Sequence, residues 1–299
     1  MGGGTYSTNS TTGMYDASLR HHKAIDKGYY SRSINEIFAQ KEINNAMSPY
    51  GVRIREARDS SEHPNVVPII LALDVTGSMG SIPHHLVKEG LPEIMGTILQ
   101  RGIQDPAMLF LAIGDHECDR SPLQVGQFEA NDDLLDKWLT DVYLEGGGGG
   151  NDGESYLLAW YLGAYHTSID SFEKRGKKGF LFTIGDEPTL KSVPKKVLQG
   201  IMGDGQYEDF SAVQLLDKAR EKYHVYHLHI KETSSGSRQS VIDDWKQLLS
   251  DNLIIVERHN DVSKIIAETV LQGLGADRTK VGDYPKVPDK PEERPQIIL

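Results

Sequence analysis

Three stretches of this chain gather oxygen-bearing side chains in turns or loops. The first is Asp74-Val75-Thr76-Gly77-Ser78. One carboxylate and two hydroxyls alternate along a turn, so all three oxygens can face one cation, and Gly77 permits the tight backbone path. Hard cations such as Mg²⁺ take oxygen ligands and keep several waters. The second stretch is a run of five glycines, 146–150, followed by Asn151, Asp152 and Glu154. Such a run suits a place where backbone must approach a ligand closely. The third is Thr183-Ile184-Gly185-Asp186-Glu187, where Asp186 closes a buried run. Each stretch has a blander reading taken alone. Asp74 can cap the helix that follows, the glycines can be a flexible linker, and Asp186 can be a turn residue. Their order along the chain, with the first and third at the ends of buried runs, favours one common site.

The elements that must position these residues follow from the hydrophobic pattern. Continuous apolar runs at 66–74, 108–115 and 179–187 have strand length and suit strands buried on both faces. Further strands are expected at 224–230 and 252–257, with an alternating edge strand at 123–130. Helical periodicity marks the stretch after Pro83 to Leu99, then 132–144, 154–170, 211–223, 240–251 and 261–274. Strands alternating with helices of this length predict an α/β fold with a mostly parallel central sheet and helices on both faces. In such sheets ligands bind outside the carboxyl ends of the strands, at the point where strand order reverses. The chain divides into an N-terminal arm with a short helix at 33–47 (residues 1–64, with a polar connection at 55–65), a main domain at 65–275, and an extended, Pro- and charge-rich C-terminal tail at 276–299.

Asp74, Thr76 and Ser78 resemble the DxSxS or DxTxS motif of the metal-ion-dependent adhesion site (MIDAS) of von Willebrand factor A (vWA) domains. The segment GGGGNDGES resembles the GGGDxPE loop of an intracellular branch of that family, and TIGDE resembles its ITDG segment. The resemblance covers about residues 65 to 275 and implies a Rossmann-like sheet. It implies a divalent cation, Mg²⁺ (or Mn²⁺ or Ca²⁺), held by Asp74, Thr76, Ser78, Asn151 and Asp186. Asp115, Asp152 and Glu154 are secondary candidates. This chain departs from the family pattern at two points. Asn151 is a neutral amide where the family has Thr or Asp, which leaves Asp152 as an alternative. The third motif is displaced by one residue, which points to a water between Asp186 and the ion. The function implied is capture of a partner's carboxylate at the open metal position, by a binding module rather than an enzyme. The branch often works beside MoxR-type AAA+ ATPases, so such an ATPase is the candidate partner.

Two other classes compete. Extra rim acids (Asp115, Asp119, Asp152, Glu154, Glu187) suit a metal-dependent hydrolase, and the terminal arms suit a structural assembly protein. Composition narrows the field further. A formal net charge of -11 over 299 residues argues against a general nucleic-acid binder. The single cysteine, Cys118, allows neither an internal disulfide nor a cysteine zinc site, and reads as cytoplasmic. No secretory leader and no membrane span are expected. The patterns GxxxxGK[ST], GxSxG and HExxH do not occur. His227 and His229 share one strand face but lack a Cys or carboxylate partner for zinc. His84 and His85 read as surface residues. Lys174, Arg175, Lys177 and Lys178 read as a solvated loop. Cys118, between Glu117 and Asp119, is expected to have a raised thiol pKa and to be no activated nucleophile.

Overall fold

The structure is a computed structural model and describes residues 40–86, 94, 97–99, 103, 105–130, 137–138, 140–144 and 151–275. The arm up to residue 39, the glycine run, much of the helical stretches expected at 86–99 and 132–144, and the tail at 276–299 lie outside the described residues. The strands in chain order are β1 (Arg55–Ala57), β2 (Val67–Asp74), β3 (Pro106–Ile113), β4 (Leu123–Glu129), β5 (Thr167–Ile169), β6 (Gly179–Gly185), β7 (Ser192–Val193), β8 (Phe210–Ser211), β9 (Tyr223–Ile230) and β10 (Leu253–Val256). The helices are α1 (Ile82–His85), α2 (Tyr156–Tyr165), α3 (Asp170–Glu173), α4 (Lys195–Met202), α5 (Ala212–Lys222), α6 (Gln239–Leu249) and α7 (Val262–Gly273).

The central sheet has six strands in the order β10-β9-β6-β2-β3-β4. All neighbours are parallel except β3 and β4. The Rossmann-like α/β architecture is therefore the observed one, with the alternating segment at 123–129 as its antiparallel edge. Strand β2 is central because its apolar run is buried on both faces from Pro68 to Asp74. Two apolar clusters, one on each side of the sheet, form the core. Phe180, Phe182 and Leu228 lie in one, and α2 with Trp160, Leu181 and Trp245 in the other. Helix α2 is buried from Tyr156 to Ala164, as expected of a helix that is apolar all round. Among the described residues no helix is long and apolar enough to cross a membrane.

Several sequence expectations change. The helix expected at 154–170 stops at Tyr165, because Thr167–Ile169 forms β5 and pairs in parallel with β1. The polar connection at 55–65 therefore contributes a strand. Met47 is fully buried in the core and Ala57 nearly so, so the packed body begins before the boundary expected at residue 65. Of the helix expected at 33–47, only a 3-10 turn at Asn45–Met47 is described. Helix α4 and the short β7–β8 pair were not expected.

The basic run after α3 is exposed at Lys174, Lys177 and Lys178, as its sequence suggests, yet Lys174 and Arg175 also form ion pairs. Lys174 and Arg58 both pair with the buried Asp170, at 2.7 and 2.8 Å. Arg175 pairs with Asp59 and donates to the Val66 carbonyl. Burial raises the Asp170 carboxyl, but hydrogen bonds from Lys174, Arg58 and the Asp59 amide outweigh it and hold the pKa at about 2. The unfolded carboxylate takes its proton first as pH drops. The contribution is therefore complete at neutral pH and lost as pH falls from about 4 towards 2. Arg58→Ala is expected to lower stability by about 1.5–3 kcal/mol at pH 7, the usual worth of hydrogen bonds to charged groups. Urea unfolding checks this, and the difference from wild type should shrink at pH 2.

Candidate metal centre

Strands β2 and β6 are neighbours, yet the chain visits β3 and β4 between them. Strand order reverses at this pair, which opens the crevice where ligands of such sheets sit. Asp74 is the last residue of β2, and Asp186 follows the last residue of β6. The register Leu73↔Ile184 sets the two ends side by side.

The side chains from these ends meet. Asp74 Oδ1 accepts from the Thr76 amide at 2.9 Å and from the Thr76 hydroxyl at 2.6 Å. The Thr76 and Ser78 hydroxyl oxygens lie 3.3 Å apart, and Ser78 donates to Asp186 Oδ1 at 2.8 Å. Asp74, Thr76, Ser78 and Asp186 thus form one connected oxygen cluster. Two further hydroxyls complete it, with Tyr156 donating to Asp74 Oδ2 at 2.6 Å and Thr233 to Asp186 Oδ2 at 2.7 Å.

From the second loop it is Glu154 that turns inward. Its backbone bonds to Pro188 and Leu190, at the end of the β6 loop. Its carboxyl lies against Thr76 and feels the charge of Asp74. Asn151 is exposed, and its amide donates to Glu117 at 2.7 Å. Asp152 is also exposed and pairs with Arg238 at 3.3 Å. Asp115 is buried at the end of β3. Its Oδ1 accepts from the Glu117 amide, while its own amide donates to Asp119.

The electrostatics of the cluster are strained. Asp74 and Asp186 are fully buried and Glu154 nearly so. Among the described residues, no ion pair reaches any of the three. Burial first, then the charge of Asp186, pushes the Asp74 carboxyl up, against the hydrogen bonds from Thr76 and Tyr156. Burial and then Asp74 push Glu154 up. Glu154 Oε2 and Asp115 Oδ2 are buried without a hydrogen-bond partner. Buried like charges at such spacing need protons or a cation. The donor set is oxygen throughout, which fits a hard divalent ion. Among the described residues no three His, Cys, Asp or Glu side chains form a ready metal cage, so an ion here would draw on the two hydroxyls and on water.

Tyr156, Thr233 and Arg238 were not singled out from the sequence. Tyr156 read as one more apolar residue of a helix. Thr233 follows the carboxyl end of β9, and that placement was the signal that could have found it. Arg238 pairs with Glu187 at 2.5 Å and puts a cation on the rim.

Two histidines of β9 are packed in the core. His227 and His229 share a face, with ring centroids 5.9 Å apart. His227 stacks on Trp245 at 3.6 Å, and its Nδ1 hydrogen-bonds the Thr183 hydroxyl. Burial holds its pKa well below 6.5. The unfolded imidazole charges below that value while the folded one does not, so stability is expected to fall as pH drops from 7 to 5. His227→Phe should flatten that slope in urea midpoints measured at both pH values. His84 and His85 are half-buried rather than surface residues, and His85 stands edge-on to His259 at 4.6 Å. Cys118 is exposed, with its thiol pushed up to about 11, first by a hydrogen bond with Asp115.

A six-stranded sheet whose one antiparallel member is the edge strand β4, with an oxygen cluster at its switch point, defines a Rossmann-like α/β domain. No protein-family model and no curated protein matches the chain. Among solved structures it is similar to the pilus adhesin SpaC from Lactobacillus rhamnosus GG in its open conformation, with 10% identity, TM-score 0.48, and coverage of 74% of this chain and 31% of the adhesin. The chain thus spans about a third of that adhesin's length. It is also similar to the conserved hypothetical protein BatB from Bacteroides thetaiotaomicron, with 12% identity, TM-score 0.42, and coverage of 70% of this chain and 99% of that one. An aerotolerance-related membrane protein from Bacteroides fragilis gives 13% identity, TM-score 0.41, and coverage of 69% and 99%.

Proposed function

We propose that this chain is a MIDAS-type protein-binding module. Asp74, Thr76, Ser78, Asp186 and Glu154 would hold one divalent cation, with Mg²⁺ the first choice. The observation that carries the reading is the burial of three carboxylates around two hydroxyls with no basic partner among the described residues. A bound cation would present positive field at the rim, where a partner's acidic side chain can reach it. Tyr156 and Thr233 hold the outer lone pairs of Asp74 and Asp186, which fixes both carboxylates. Glu154 takes the inward place that sequence resemblance assigns to Asn151. A MoxR-type AAA+ ATPase with an exposed acidic residue is the candidate partner, and the single, unactivated cysteine suits the cytoplasm.

The test is a pull-down of that ATPase by the full chain in Mg²⁺, in EDTA, and with Asp74→Ala. Capture in Mg²⁺ that is lost in both other arms supports metal-bridged binding. Capture that survives chelation and the substitution contradicts it.

A further inference from the structure

Away from the oxygen cluster, the surface carries a groove of about 540 Å³ lined by aromatic side chains. Tyr50, Tyr161, Tyr165, Tyr207 and Phe210 line it, with Asp204 and Glu208 on its wall. The rings form a connected set. Tyr161 and Tyr165 lie 5.3 Å apart, and Tyr165 and Phe210 lie 5.5 Å apart. The floor is held by backbone. Gly51 donates to the Met202 carbonyl, and the ring of Tyr50 covers Gly203, whose φ of +89° turns the chain there. Tyr50 is nonetheless 64% exposed and Tyr165 38%. Large aromatic rings gathered on an open surface mark a docking site.

We propose that this groove is the docking site for the chain's own proline-rich segment, Pro285-Lys286-Val287-Pro288-Asp289-Lys290-Pro291. Prolines recur there at every third position, and a polyproline II helix has three residues per turn. All three prolines would lie along one edge of such a helix. Aromatic grooves take edges of this kind, and a proline-rich chain loses little entropy on docking. Lys286 and Lys290 flank Pro288 and complement Asp204 and Glu208.

Reach allows it. The described chain ends at Gly275, just past α7, and a Cβ on Gly273 would meet Phe180, at the start of β6. Gly179 beside it pairs with Tyr223, whose hydroxyl bonds Thr167, two residues past Tyr165. The end of α7 and the groove therefore flank the same end of the sheet. Pro285 lies ten residues beyond Gly275, a span of up to about 33–36 Å.

Limited trypsin digestion of the full chain tests this. Lys290 and Arg294 each precede proline and resist trypsin, so Lys286 is the reporter within the segment and Lys280 the control outside it. Cleavage at Lys286 is expected to be about fivefold or more faster in Tyr50→Ser/Tyr165→Ser than in wild type, with Lys280 unchanged. Pro285→Ala/Pro288→Ala, which leaves the groove intact, should accelerate it likewise. Equal rates at Lys286 in wild type and the proline variant overturn the proposal, whatever the groove variant does. Photo-crosslinking from benzoylphenylalanine at position 165 should capture the 284–291 segment in a concentration-independent way. Capture of another segment, or only between two chains, also overturns it.

Discussion

Asp74→Asn is expected to have opposite effects with and without Mg²⁺. Without divalent ions the variant should be more stable than wild type by about 1 kcal/mol, because a neutral amide replaces a carboxyl that burial and the charge of Asp186 already push up to about 7. Asparagine keeps the acceptor that Thr76 uses and can donate to the Tyr156 hydroxyl, so the fold should persist. With Mg²⁺ at a hundred times its dissociation constant, wild type should gain about 2.7 kcal/mol, while the variant gains almost nothing. Affinity itself should fall about 100-fold or more, and Tyr156→Phe, which frees one lone pair of Asp74, should cost about tenfold. Calorimetric titration and thermal unfolding in EDTA and in Mg²⁺ check both. A purely structural Asp74 would give a variant less stable than wild type in both buffers.

Gly185→Ala is expected to cost about 3–5 kcal/mol, one of the largest effects of a single methyl in this chain. A Cβ at Gly185 would overlap the Tyr156 hydroxyl oxygen and lie 2.9 Å from Asp74 Cβ. Neither neighbour has room to yield. Tyr156 is fully buried, with its ring edge-on to His227 and Trp245, and Asp74 is held by three hydrogen bonds. Overpacking of this severity exceeds the usual cost of an added methylene. Thermal unfolding should drop by roughly 10 °C, and the Mg²⁺ response should vanish with it. Gly200→Ala is the control. It lies inside α4 with nothing within 4 Å of its Cβ, so it should be neutral or stabilising by up to about 1 kcal/mol.

What the sequence revealed divides along physical lines. Strands β2, β3 and β6 were legible because strands covered on both faces need unbroken apolar runs, and few other elements of that length do. Asp74, Thr76, Ser78 and Asp186 were legible because each stands at or just after the end of such a run. The end of α2 was not legible. Its stop depends on β1, whose Arg58 neighbour pairs with Asp170 across 112 positions, and no local signal announces a partner so distant. Tyr156 and Thr233 were missed for the same reason, since their hydroxyls reach Asp74 and Asp186 over 82 and 47 positions. The second loop shows a subtler limit. Asn151 and Glu154 are three residues apart, and only the pairing of Glu154 backbone with Pro188 and Leu190 decides which of them faces inward.

Oxygens from three chain-distant turns are expected to hold one divalent ion. The most direct measurement is anomalous diffraction from crystals of the full chain grown in Mn²⁺. The expected result is one strong peak bounded by Asp74, Ser78 and Asp186, with Glu154 or its water alongside. Crystals that diffract well, bind Mn²⁺ elsewhere and show no peak between those side chains would contradict the claim.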